Sequence, residues 1–128
     1  QVVAGPTTGG IILSFEAARQ LGVRGIFAEK KGDTRRTFQR SFSIDSGEHV
    51  LIVDDILTTG NSIREVMAAV TSQGGTIVGI GVLVDRSEQK VDFDVPLFSC
   101  HRTITPTYTT ENCPLCAAQI PLIKPGSS

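Results

Sequence analysis

Four short runs of apolar residues, Val2 to Ala4, Val23 to Ala28, Val50 to Val53 and Thr76 to Val84, alternate with stretches of helical periodicity. Continuous apolar runs of this length predict strands of a parallel sheet, buried on both faces. Between the first two, Ile11, Phe15, Ala18 and Leu21 predict the apolar side of a helix that Gly22 stops. Between the last two, Ile63, Val66, Met67 and Val70 fall at i, i+3, i+4 and i+7, and Ser62-x-x-Glu65 reads as the capping box that starts the helix. Gly74-Gly75 ends it. Ser41 to His49 is a polar connection, and Asp92 to Cys100 returns to the sheet through Val95-Pro96-Leu97-Phe98. The order strand, helix, strand, loop, strand, helix, strand predicts an α/β fold: a mostly parallel sheet flanked by helices on both faces, in one domain over 1–128. Residues 105–128 form an irregular tail with Pro106, Pro114, Pro121 and Pro125, ending in a flexible Gly126-Ser127-Ser128.

Polar chemistry gathers where these strands end. Asp54 and Asp55 emerge from the third strand at its carboxyl end, where ligands of open α/β sheets collect. Thr58, Thr59, Gly60, Asn61 and Ser62 then lead into a helix whose free N–H groups and dipole attract an anion. Two carboxylates would repel a bare phosphate, so their partners are sugar hydroxyls or a magnesium ion. A ribose phosphate with Mg²⁺ satisfies the whole set. After the first strand, Thr7, Thr8, Gly9 and Gly10 form a second candidate cradle. It lacks the G-x-G-x-x-G fingerprint, and Ile11 and Ile12 stand where a Walker loop has Lys and Ser/Thr, so a plain structural turn is the alternative. Lys30, Lys31, Arg35, Arg36 and Arg40 place five of the chain's 12 basic residues after the second strand, around a turn at Gly32-Asp33. Asp85-Arg86 follows the fourth.

The stretch Asp54-Asp55-Ile56-Leu57-Thr58-Thr59-Gly60-Asn61-Ser62 resembles the phosphoribosyl-pyrophosphate (PRPP) loop of type I phosphoribosyltransferases, and its surroundings are most similar to the orotate phosphoribosyltransferase family. The resemblance implies the type I, Rossmann-like core and Mg²⁺-dependent transfer of phosphoribose from PRPP to orotate, giving orotidine 5′-monophosphate and pyrophosphate in pyrimidine synthesis. It implies PRPP contacts along Asp54 to Ser62, Ile56 and Leu57 included, and a pyrophosphate loop at Thr7 to Gly10, with Gly9 where many relatives carry lysine. Arg86 matches an arginine that binds the base, with Thr58 as a second base contact. The basic stretch resembles in position a mobile catalytic loop, with Lys30 aligned best and Lys31, Arg35 and Arg36 open as substitutes for the missing members; Glu29 stands where arginine is usual. A homodimer sharing that loop is implied. So is an N-terminal hood over the base, which this chain, opening at Gln1 directly into a strand, is expected to lack.

With 40% hydrophobic and 20% charged residues and a net charge of −1, the composition is that of an ordinary globular domain, which argues against a general nucleic-acid binder. No stretch has the length of a membrane span, and three cysteines fit a reducing cytoplasm rather than a disulfide scaffold. Cys113-Pro114-Leu115-Cys116 has the spacing of a zinc half-site that Cys100 and His101 could complete, but reduced structural thiols are the preferred reading. A Cys-Pro-Leu-Cys tail also resembles one branch of the orotate enzymes. Three alternatives remain open: a transferase for another base, a regulatory module that senses PRPP without catalysis, and a zinc-binding interaction module.

Overall fold

The computed structural model describes residues 1–32, 35–106 and 108–121, with only the backbone described for Lys31. Pro125, Gly126-Ser127-Ser128 and Asp33 lie outside the described residues. The strands are β1 (Val2–Pro6), β2 (Arg24–Lys31), β3 (Arg35–Phe38), β4 (His49–Leu57), β5 (Thr76–Asp85) and β6 (Leu97–Arg102). They form one sheet in the order β3-β2-β1-β4-β5-β6, parallel throughout except for the β2–β3 hairpin. Helix α1 (Gly9–Leu21) follows β1, α2 (Asn61–Ser72) follows β4, and a single turn, α3 (Pro114–Ala117), lies in the tail.

The crossovers lead in opposite directions. β1 passes through α1 to β2, and β4 passes through α2 to β5, so right-handed connections put the two helices on opposite faces. The sheet therefore switches direction between β1 and β4, whose carboxyl ends adjoin. Alternate side chains feed two cores: Val2, Ala4, Val50 and Ile52 meet Ile63, Val66 and Val70 of α2, while Val3 and Val53 meet Ala18 of α1. Met67 packs against the larger core, as the periodicity of α2 predicts.

Several local expectations are corrected. On α1 the buried residues are Gly10, Ser14 and Ala18, whereas Phe15 is 65% exposed and Leu21 is exposed as well. Close approach decides this: a Cβ on Gly25 of β2 would lie 3.0 Å from Ala18 Cβ, so the helix seats its small residues on the sheet. The capping box is absent, since α2 starts at Asn61 with Gly60 as N-cap and no side-chain cap, which leaves Ser62 inside the first turn. The basic stretch forms a hairpin instead of a loop, because Arg36 is buried and Phe38 packs against the larger core from an edge strand. β6 begins at Leu97, two residues later than expected; Pro96 has no N–H for the ladder and offers only its carbonyl, to Ile80 N at 2.8 Å. β5 is not buried on both faces, for Val78 and Leu83 are exposed.

Candidate active site

β1 and β4 pair in register from Val2–Val50 to Ala4–Ile52, so the turns that follow them open on one rim. The first turn is anchored by Thr7 N donating to Ala28 O at 3.0 Å and Ile11 N donating to Thr8 O at 3.2 Å. Its Thr7–Thr8 peptide is cis. A Cβ on Gly9 would fall 2.1 Å from Asp55 Oδ2, so the Asp55 carboxylate rests directly against the turn and only glycine leaves it room. The turn after β1 thus meets the acids of β4 at this carboxylate.

β4 runs on through both acids to Leu57, rather than releasing them at its end. Asp54 is therefore only 5% exposed, while Asp55 is half-buried. Asp54 Oδ1 accepts from Asp55 N at 2.9 Å, and Asp55 Oδ1 accepts from Ile56 N at 2.8 Å. Burial pushes the Asp54 carboxyl up to about 6, and the Asp55 carboxylate adds to the rise; the Asp55 N–H and the charge of Arg36 oppose it. Asp54 can therefore change protonation near neutral pH.

Beyond the acids, Thr58, Thr59, Asn61 and Ser62 are exposed and Gly60 turns the chain at φ 81° into α2. Without a side-chain cap, the first N–H groups of this helix are left for an anion. A cleft of about 30 Å³ opens there, lined by Asp54 and the residues from Ile56 to Ile63. Leu57 itself is buried, and its carbonyl accepts from Arg86 N at 2.8 Å, so it supports the turn from below. A Cβ on Gly60 would lie 2.8 Å from Phe93 Cζ, which makes the Phe93 ring the floor of the turn. Arg64 holds that floor in place, with its guanidinium 4.9 Å from the ring centroid and its Nη2 donating to Asp92 O at 2.8 Å.

Two arginines of the sequence remain to be placed: Arg86, expected at the base, and Arg36, open as a member of the basic loop. Arg86 follows β5 beside the Leu57–Thr58 peptide, and its Nε is buried without a hydrogen-bond partner among the described residues. Arg36, at 8% exposure, donates from Nη1 to Thr7 Oγ1 at 2.8 Å and to Ala28 O at 3.3 Å. Its Nε lies 3.0 Å from Glu65 Oε2, a charge contact whose angle falls short of a directed hydrogen bond. Lys30 and Arg35 are exposed, and Arg40 is paired with Glu29 at 2.8 Å.

Residues 1–110 match the family described as the phosphoribosyl transferase domain. The chain belongs to that family. It is 51% identical over 126 residues to the orotate phosphoribosyltransferase of Caldanaerobacter subterraneus, covering 98% of this chain and 66% of that protein. The orotate phosphoribosyltransferase of Pelotomaculum thermopropionicum is 52% identical with the same coverage. The chain thus spans just under two thirds of the length of these curated relatives. Among solved structures, the orotate phosphoribosyltransferase of Aeropyrum pernix superposes with a TM-score of 0.64 at 25% identity, over 80% of this chain and 59% of that one. An adenine phosphoribosyltransferase of Thermoanaerobacter pseudethanolicus gives 0.67 at 24% identity, over 80% and 70%, and shares the fold.

Within this phosphoribosyltransferase core, sequence reasoning left one connection unread. A basic run reads as a solvated or mobile segment, and nothing in its spacing says that Arg36 turns inward; the signal is the alternation of Arg36 and Phe38, which a β-strand sends to one face. Cys100 is exposed, Cys113 and Cys116 are half-buried free thiols, and among the described residues no three His, Cys, Asp or Glu side chains are grouped to hold a metal. No helix among those residues is long and apolar enough to cross a membrane.

Proposed function

We propose that the protein containing this chain transfers the phosphoribosyl group of PRPP to orotate, forming orotidine 5′-monophosphate and pyrophosphate. The observation that carries this reading is the pair of anion-binding turns on one rim, with Asp54 and Asp55 between them. The turn from Thr58 to Ser62 would take the 5′-phosphate on the N–H groups of α2, and the turn from Thr7 to Gly10 the pyrophosphate. Asp54 and Asp55 would accept from the ribose hydroxyls that lie between. As the bond from C1 to pyrophosphate breaks, positive charge develops on the sugar, and the same two carboxylates would lie close enough to stabilise it. Mg²⁺, brought in with PRPP, would neutralise charge on the departing pyrophosphate; the Asp55 carboxylate against the Gly9 turn suits a hard cation or its water shell.

The choice of orotate rests on Arg86 and on the names of the relatives at about 50% identity. A buried guanidinium edge without a partner is costly until an acceptor meets it, and a carboxylate-bearing base supplies one. The exposed apolar residues Ile12, Phe15 and Phe98 support the pairing of two copies, and the free thiols fit a reducing cytoplasm. Arg86→Leu is expected to weaken binding of orotidine 5′-monophosphate by about 10- to 100-fold, the worth of a hydrogen bond to a charged group, while PRPP binding stays within about twofold. Calorimetric titration with each ligand checks this. Equal losses for both would assign Arg86 to the PRPP site instead, and no loss for either would remove it from the ligand altogether.

A further inference from the structure

Arg36 is a buried side chain with three polar partners that the transfer chemistry leaves without a task. It stands on the antiparallel edge strand, opposite Lys30, yet it turns inward, and its side chain is only 7% exposed. A lone buried guanidinium is expensive, so its partners indicate what it holds. They come from three elements: the Thr7 hydroxyl in the turn after β1, the Ala28 carbonyl of β2, and Glu65 of α2, the helix that carries the other turn. Ala28 O also accepts from Thr7 N, so the same carbonyl fixes the turn's backbone and the arginine that grips its side chain.

We propose that Arg36 is a positioning residue that aims the Thr7 hydroxyl at the anion in the turn and holds the turns after β1 and β4 at a fixed separation. The chemistry is one of donors. Guanidinium has no acceptor, so Thr7 Oγ1 can only accept from it, at 2.8 Å. The hydroxyl proton is then directed elsewhere, and an oxygen that accepts a charge-assisted hydrogen bond becomes a stronger donor itself. The ion contact with Glu65, half-buried on the first turns of α2, links this arrangement to the second cradle. Arg36 thereby acts through Thr7 and touches no substrate. Lysine is a poor substitute, since its three donors sit on one nitrogen whereas Arg36 meets Thr7 and Ala28 from Nη1 and Glu65 from Nε.

The inference rests on the PRPP reading, and its test separates the two. The 128-residue chain and its Arg36→Met, Arg36→Lys, Thr7→Val and Arg36→Met/Thr7→Val variants are titrated with Mg²⁺–PRPP and with ribose 5-phosphate. Expected is a loss of about tenfold or more in PRPP affinity for each single variant, Arg36→Lys included. Ribose 5-phosphate, which meets the turn before α2 and the two carboxylates but has no pyrophosphate for the turn after β1, should stay within about twofold. The double variant should bind PRPP about as well as either of the two, because both remove one relay. Wild-type affinity in a folded Arg36→Met, additive losses in the double variant, or an equal fall for ribose 5-phosphate would each overturn the proposal. If the parent chain binds no PRPP, the transferase reading fails on its own account. Amide exchange then decides the role of Arg36: faster exchange at Thr8, Gly9 and Gly10 in Arg36→Met than in the parent supports the tie, and unchanged exchange there contradicts it.

Discussion

Asp54→Asn is expected to make the ligand-free protein more stable at neutral pH and less able to bind PRPP. The carboxyl is buried and titrates at about 6, against an ordinary unfolded value near 3.9. Its folded pKa is the raised one, so the native state holds the proton more tightly than the unfolded chain. The stability tied to that proton is complete below about pH 4 and is lost as pH rises through 6. Asparagine does not titrate, keeps an oxygen for the Asp55 N–H, and escapes the loss. The variant should therefore gain on the parent by about 2 kcal/mol between pH 4 and pH 8. Urea unfolding at both pH values measures the difference, with titrating groups remote from Asp54 cancelling between the two proteins. A gap that stays constant, or narrows toward pH 8, contradicts the burial account. Such an acid is costly to the fold, and a ligand that offers hydroxyls or a cation is what makes it useful.

The second large effect lies beneath the other turn. Phe93 is 2% exposed, fills the larger core, and presents its ring edge to Gly60. Phe93→Ala should cost about 3–5 kcal/mol through lost burial and the cavity left behind. It should also remove the surface against which Arg64 stacks, and so loosen the residues from Thr58 to Ser62. Phe15→Ala on α1 is the control. Its ring is 65% exposed, and its removal should change stability by no more than about 0.5 kcal/mol. Thermal unfolding of both variants checks the contrast, and comparable losses would mean that α1 packs through its large residues after all.

That contrast marks where sequence reading succeeds and where it does not. The strand-and-helix order was legible because apolar runs and the face Ile63, Val66, Met67, Val70 are dictated by burial, which composition records directly. Of the face of α1, only Ala18 was. Periodicity weighs large apolar residues, whereas this helix lies so near the sheet that Gly10, Ser14 and Ala18 make the contact. The candidate site divides in the same way. Acids, hydroxyls and glycines were placed in order by their residue types, and both turns do open on one rim. The start of α2 was misread because Glu65, counted as half of a capping box, is drawn to Arg36 instead. That pairing joins residues 29 positions apart in the chain, across a hairpin whose inward turn no local pattern announces.

The central claim is that Asp54 and Asp55 join two anion cradles into a single site for PRPP. Calorimetric titration of the chain with PRPP, with and without Mg²⁺, beside an Asp54→Asn/Asp55→Asn variant, tests it most directly. Saturable binding that depends on Mg²⁺ and disappears in the variant is the predicted result. Binding that survives the double substitution, or no binding by a chain shown to be folded, would contradict the claim.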